Sequence, residues 1–396
     1  MHAVHIVQDL LNRVCPSMHA KRRTALANVT AAATLGGLGL VRMGKKLGSK
    51  VGLKHRIKRC DRLLGNAHLW REHALVYGAM ARRVLARQPR PAIVVDWSPL
   101  RDDGSLQLLR AAAIVKGRAF TVYEEVHPEK QLGKLAVHRD FMRTLRTVLP
   151  PSCKPVIITD AGFRATWFKM LDQLGYAWIG RIRNVDRLRE FNTDTWIGCK
   201  DLYAKASAQA RDLGNFLYTR TNSTLCRLVL NKTKRKGRQQ KTKFGKPALS
   251  AHCKKQSAAQ REPWLLAVAP SLASLSATQI VQLYAGRMQI EQTFRDLKNA
   301  QWGMGLRQSQ TRGQGRLAIL LLIGALASFA LWVIGLAARH AGFSIEYGSR
   351  SKAPTTLSIL SLATHWLDEQ YPPPLTKLQL ARAIYTLRSM VIAYEI

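Results

Sequence analysis

The sequence predicts an α/β protein in which a mixed sheet flanked by helices follows a basic, helical N-terminal region. Short apolar segments rich in branched and aromatic residues recur between about 90 and 183, with two helically spaced segments between them. Residues 1–88 show helical, basic sequence instead. A chain of 396 residues can form two or three domains.

The composition is strongly basic. Sixty-two Lys and Arg against 24 Asp and Glu give a net charge of +38, with a pI near 10.8. Solubility alone needs a far smaller net charge. A charge asymmetry of this size is typical of proteins that bind phosphates, so we expect a nucleic acid as partner.

The cysteines and the N-terminus indicate a protein of the cytoplasm. The six cysteines are scattered and form no CxxC pair, which argues against a zinc site and a disulfide framework. The first 23 residues lack the unbroken apolar stretch of an export signal.

Residues 1–88 are predicted to form a helical DNA-binding domain. Lys and Arg crowd into a short stretch within residues 41–66, where they would repel one another unless phosphates neutralised them. An ordinary solvated helix face is the alternative. Residues 39–45 (GLVRMGK) mimic a phosphate-binding loop, but Lys46 stands where Ser or Thr would be needed. The candidate DNA contacts are Lys45, Lys46, Lys54, Arg56, Lys58 and Arg59.

The next segments give the order strand, strand, strand, helix, strand, helix, strand. This order matches the ribonuclease H-like core, an α/β fold with a mixed sheet. In chain order the segments are 91–98, 106–115, 121–126, 138–149, 154–162, 163–175 and 176–183.

The rest of the chain is less regular. We expect a β-rich insertion at 184–262 with an exposed basic loop at 231–246, which could contact phosphates or be a disordered surface loop. An apolar strand at 263–270 and a long helix at 277–299 follow. Residues 317–338 are uncharged and long enough to span a bilayer, and we interpret them as a buried core helix.

Two aspartates terminate otherwise apolar strands. Asp96 follows AIVV and Asp160 follows PVIIT. A carboxylate at the end of a buried strand is costly unless it is hydrogen-bonded or coordinates a cation. Each alone would be interpreted as a cap of the following turn. The pair, in this strand order, indicates a divalent-metal site.

The predicted helix at 277–299 supplies a third carboxylate. At about 100° per residue, one polar stripe carries a tyrosine, three cations and a single glutamate, while Leu283, Ile290, Phe294 and Leu297 form the adjacent apolar stripe. The cations could grip phosphates while the glutamate completes a metal site, or they could simply pair with it. The polar stripe consists of Tyr284, Arg287, Glu291, Arg295 and Lys298.

This spacing of Tyr, Arg, Glu and Lys resembles the YREK signature of the insertion-sequence-four family of bacterial transposases. The segments IVVDWS, ITDAGF, RMQIEQTFRDLK and KHRIKRCDRLLGN extend the resemblance over nearly the entire chain. It implies a catalytic triad of Asp96, Asp160 and Glu291. It also implies that Tyr284, Arg287 and Lys298 hold phosphates beside the cleaved position.

The resemblance implies cut-and-paste transposition. Two Mg²⁺ ions, about 3.5 to 4 Å apart and replaceable by Mn²⁺, would bind the triad. Water would cut first, the freed 3′-hydroxyl would form a hairpin, and the reopened 3′ ends would attack target DNA. Trp264 falls where related transposases stack a flipped base, although a buried strand anchor is equally compatible with its position.

We therefore expect three parts: a DNA-binding domain at 1–88, a ribonuclease H-like core at 89–345 interrupted by the insertion at 184–262, and a helical segment at 346–396 that could carry a dimer contact. The partners would be double-stranded DNA and a second copy of the chain, with no membrane. A structure-specific nuclease, a non-catalytic DNA-binding protein and a single-span membrane protein are the alternatives.

Overall fold

A computed structural model of the protein describes residues 2–183, 186–232, 250–251, 262–301, 303–347, 357–369 and 372–393. The chain divides into two compact units. Unit 1 comprises residues 1–155 and 288–395, and unit 2 comprises residues 156–287 with residue 396. The predicted basic loop lies outside the described residues from position 233 onward.

The first part of unit 1 is helical, as predicted. Asn66 begins the fifth helix by accepting a hydrogen bond from the backbone N–H of Leu69, a standard N-cap. The third helix occupies the segment that mimics a phosphate-binding loop, which confirms that it is not one. The helices are α1 (His2–Val14), α2 (Ala20–Gly36), α3 (Leu40–Lys46), α4 (Leu53–Leu64) and α5 (Ala67–Leu85).

Three antiparallel strands follow, in the spatial order β3-β2-β1. They are β1 (Ala92–Pro99), β2 (Leu106–Val115) and β3 (Arg118–Pro128), and α6 (Leu135–Val148) comes next. Gly117, with φ of +95°, makes the tight turn between β2 and β3. The predicted strands and helix in this stretch are confirmed.

The remaining helices of unit 1 pack around one apolar helix. They are α9 (Met288–Lys298), α10 (Gln314–His340), α11 (Ile359–Asp368) and α12 (Lys377–Ser389). Helix α10 is buried along most of its length and contacts α2, α5, α11, α12 and β3. Its position confirms the interpretation of residues 317–338 as a core helix.

By length and composition, α10 could also cross a membrane. Among the described residues it is the only unbroken helix that could do so, and 89% of its most apolar 18-residue stretch is buried. The bent pair of α2 and α3 passes the same test only when the two helices are taken together.

Unit 2 contains a mixed sheet in the order β4-β5-β10-β9-β8-β6-β7. Strands β4 and β5 are parallel, and the other recorded pairings are antiparallel. The strands from the predicted insertion therefore extend the sheet beyond β10. The elements are β4 (Val156–Thr159), α7 (Ala165–Gln173), β5 (Ala177–Ile182), β6 (Arg187–Glu190), β7 (Trp196–Gly198), β8 (Arg211–Tyr218), β9 (Thr224–Asn231), β10 (Trp264–Val268) and α8 (Ala277–Ala285).

The prediction of one long helix at 277–299 is wrong. Helix α8 ends at Ala285 and α9 begins at Met288, so Gly286 and Arg287 separate them. Gly286 is the C-cap of α8, and its low helix propensity favours a break at this point. The proposed polar stripe is consequently not continuous.

Two glycines of α10 should respond oppositely to alanine. A Cβ on Gly335 would lie 2.1 Å from the carbonyl oxygen of Ile359, whereas one on Gly315 meets only Trp70, at 3.8 Å. We expect Gly335→Ala to lower the free energy of unfolding by about 1–3 kcal/mol. Gly315→Ala should raise it slightly, by at most about 0.5 kcal/mol, because alanine favours the helix but Gly315 lies in its first turn. Urea denaturation measures both, and equal stabilities would contradict this packing of α10 on α11.

Candidate active site

Asp96 lies within β1, where it pairs with Arg110 of β2. The prediction that it ends the strand is wrong, because Trp97, Ser98 and Pro99 continue the pairing. The side chain is half-buried, and one carboxylate oxygen accepts the backbone N–H of Trp97 at 2.8 Å. The backbone of β1 thus orients one oxygen of this carboxylate.

A row of charges crosses the three strands of unit 1. Asp96, Arg110 and Glu124 occupy directly opposed positions on β1, β2 and β3, which places them on one face of the sheet. Arg110 and Glu124 are almost fully buried and form an ion pair of 2.6 Å. The hydroxyl of Tyr77 donates to Glu124 at 2.8 Å. Glu124 therefore balances Arg110 beside Asp96.

Asp160 follows β4 directly, as predicted. One of its oxygens accepts the backbone N–H of Gly162 at 2.8 Å, which is the turn contact that the capping alternative requires. The side chain is half-exposed. Asp160 belongs to unit 2, whereas Asp96 and Glu291 belong to unit 1.

Helix α9 presents a charged outer face. Ile290, Phe294 and Leu297 are buried as predicted, and the helix contacts all three strands of unit 1. Glu291 and Arg295 lie on the exposed side. The helix that carries the acidic side chain of Glu291 thus packs against β1, the strand that carries Asp96.

Lys298 connects α9 to β1. Its ammonium nitrogen donates to the hydroxyl oxygen of Ser98 at 2.6 Å and lies 5.6 Å from the ring centroid of Phe294. Burial, followed by repulsion from Arg307 and Arg110, lowers the pKa of Lys298 to about 8. Lys298, a predicted phosphate contact, is therefore a partly desolvated cation that is hydrogen-bonded to Ser98, two residues along β1 from Asp96.

Tyr284 and Trp264 form an aromatic contact inside unit 2. Their rings meet edge to face with centroids 5.0 Å apart, and the guanidinium of Arg287 lies 5.9 Å from the Tyr284 ring. Burial raises the pKa of Tyr284. The positive charges of Arg287 and Arg181 oppose this rise, and the negative charge of Asp160 adds to it. Tyr284 is therefore a buried residue within electrostatic reach of Asp160, and the expected outward-facing position on a shared stripe is wrong.

The basic residues of α3 and α4 differ in exposure. Lys45, Lys46, Lys54, Lys58 and Arg59 are exposed. Arg56 is half-buried, and its guanidinium donates to the carbonyl oxygens of Lys45 and Leu47 at 3.3 Å each. Arg56 thus helps to hold the end of α3.

Sequence reasoning missed Arg110, Glu124 and Ser98. Charged residues inside apolar strands are seldom buried unless they are paired, so the arginine in LLRAAA and the glutamates in VYEEV were a usable signal. Ser98 gave no signal because its role depends on Lys298, which is distant in sequence.

No three His, Cys, Asp or Glu side chains of the described residues lie close enough together to hold a metal ion. The triad candidates are divided between the two units. Their donor type nevertheless suits a hard divalent cation, because all three offer carboxylate oxygens.

A family model described as the transposase DDE domain matches residues 87–329, more than half of the chain. A search of curated proteins finds no match. The matched stretch includes the strands and helices that carry Asp96, Asp160 and Glu291. The chain therefore belongs to the DDE transposase family, whose members are metal-dependent enzymes that cleave and transfer DNA.

Proposed function

We propose that the chain is a cut-and-paste transposase that binds terminal inverted repeats, cuts through a hairpin intermediate, and joins the 3′ ends to target DNA. One observation carries the proposal: α9 presents Glu291 while Lys298 ties the same helix to β1, close to Asp96. The YREK spacing supports membership in the insertion-sequence-four family, with motifs most like those of the insertion sequence ten transposase.

The proposed catalytic residues are Asp96, Asp160 and Glu291, which would hold two Mg²⁺ ions. Such ions, when bound, activate the attacking oxygen and stabilise the leaving 3′ oxygen. The backbone contacts of Asp96 and Asp160 each orient one carboxylate oxygen. In-line phosphoryl transfer needs no covalent protein intermediate, so no serine or tyrosine nucleophile is required.

The DNA-binding residues fall into two groups. The exposed lysines of α3 and α4 with Arg59 would bind duplex DNA within the domain proposed for residues 1–88. Arg287, Arg295 and Lys298 would hold phosphates near the cleaved bond. Tyr284 would act mainly through Trp264, whose ring it supports.

The division into a DNA-binding domain at 1–88, a core at 89–345 with its insertion at 184–262, and a segment at 346–396 remains part of the proposal. Cutting two ends and joining them to one target requires two active sites held together, which favours a DNA-bound homodimer. The reaction would take place in the bacterial cytoplasm, on nucleoid DNA.

Neutralising any triad carboxylate should abolish DNA cleavage. Asp96→Asn, Asp160→Asn and Glu291→Gln remove an anion with little change of shape, so DNA binding should persist while nicking falls by at least about 100-fold. Asp140→Asn is the matched control, because Asp140 lies exposed on α6. The assay follows nicking and excision of a duplex bearing the inverted repeats that flank the gene. Undiminished nicking by Asp96→Asn would refute the triad.

The Lys298 contact predicts a pH dependence of DNA binding. Because the pKa is lowered to about 8, the ammonium loses its proton as pH rises through that value. We expect affinity for end DNA to fall roughly fivefold to tenfold between about pH 7 and about pH 9. Lys298→Arg keeps its charge and should flatten the profile. A wild-type profile as flat as that of the variant would show that Lys298 does not bind phosphate.

Trp264 should be needed for hairpin formation more than for the first nick. Base stacking on an aromatic ring contributes about 1–3 kcal/mol, so Trp264→Ala should slow hairpin formation by about tenfold or more, while Trp264→Phe retains most of the rate. Fluorescence of 2-aminopurine at the terminal base reports extrusion. Equal losses of nicking and hairpin formation would indicate a structural anchor instead.

A further inference from the structure

Trp97 links a buried histidine to the carboxylate of Asp96. Its backbone N–H donates to one oxygen of Asp96 at 2.8 Å. Its indole N–H donates to Nε2 of His138, a residue of α6, at 2.9 Å. Because both contacts belong to one residue, a shift of the Trp97 side chain would also move the N–H that orients Asp96.

The contact with the indole determines the protonation state of His138. An indole N–H can only donate, so Nε2 of His138 must accept, and the neutral ring carries its proton on Nδ1. His138 is only 5% exposed. Burial, followed by the charge of His127, lowers the pKa of His138 to about 4. The ring is therefore a neutral acceptor for Trp97 near neutral pH.

His127 contacts the Trp97 ring as well. The two rings meet edge to face, with centroids 5.6 Å apart. Nε2 of His127 lies 2.9 Å from a carboxylate oxygen of Glu125, and Nδ1 lies 3.1 Å from the side-chain oxygen of Gln131. His127 is thus held by two polar neighbours. With contacts to both imidazole rings, the indole of Trp97 has little freedom to turn.

We propose that His138 is a positioning residue of the metal site, which acts on Asp96 through Trp97. The inference deepens the proposed function and rests on it, since it takes Asp96 as a metal ligand. A carboxylate that is oriented in advance loses less freedom when an ion binds, so the ion binds more tightly. Loss of a group that orients a metal ligand typically weakens metal binding by about 10- to 100-fold.

The test measures the affinity for Mn²⁺ and not the rate of DNA cleavage. The full-length protein is bound to a duplex that ends at the transposon terminus and lacks the terminal 3′-hydroxyl, so that no joining can occur. Electron paramagnetic resonance of free Mn²⁺ then gives the dissociation constant. His138→Phe keeps an aromatic ring but removes the acceptor, so the affinity for Mn²⁺ should fall by roughly tenfold.

Further variants separate positioning from packing. His138→Gln places an amide oxygen near the position of Nε2 and should retain most of the affinity. Trp97→Phe removes the donor and should weaken Mn²⁺ binding as much as His138→Phe does. The double variant should bind no more weakly than either single variant, because both changes break the same contact. Leu145→Val is the control, because Leu145 is buried on the same helix about two turns after His138.

Wild-type Mn²⁺ affinity in folded His138→Phe would overturn the inference, and so would a double variant whose loss is the sum of the two single losses. Thermal melting verifies that each variant is folded, and Trp97→Phe serves if His138→Phe is not. An Asp96→Asn variant that binds Mn²⁺ as tightly as the wild type would contradict the proposed triad instead. The two failures are therefore distinguishable.

Discussion

The burial of α10 is the constraint on which the arrangement of unit 1 depends. A helix whose sides are all apolar must be covered completely, and each fully buried Leu, Ile or Phe contributes about 1.5–3 kcal/mol. N-terminal helices, β3 and the two C-terminal helices all contact it. Segments that are far apart in sequence are thereby assembled into one unit, which also holds the strand that carries Asp96.

The charged residues of unit 1 depend on this apolar framework. Arg110 and Glu124 neutralise each other in the interior, and Tyr77 occupies one of the glutamate oxygens. Removing either partner alone would leave an uncompensated buried charge, so the pair favours the register in which Arg110 lies opposite Glu124. Phe294 lies against the Arg110 guanidinium, at 4.9 Å, and so seats α9 on the sheet. With Phe294 packed against the sheet, Glu291 lies on the exposed side of α9.

The regular elements were predictable because apolar runs and helical spacing are local properties of the sequence. The strand at 91–98 and the core helix at 317–338 illustrate this. The break at Gly286 was missed because the polar and apolar stripes appear continuous when a single helix is assumed. Asp96 was taken to end its strand because the apolar run AIVV stops before it, whereas Trp97, Ser98 and Pro99 continue the pairing with β2.

The central claim is the proposal that Asp96, Asp160 and Glu291 would hold the metal ions with which DNA is cleaved. Exchange of a ligand for a thiol tests it most directly, because thiolates favour Mn²⁺ over Mg²⁺. The measurement is the nicking rate of Asp160→Cys on end DNA with each metal. The account predicts loss of nicking in Mg²⁺ and partial recovery in Mn²⁺. Nicking in Mg²⁺ at the wild-type rate would contradict it.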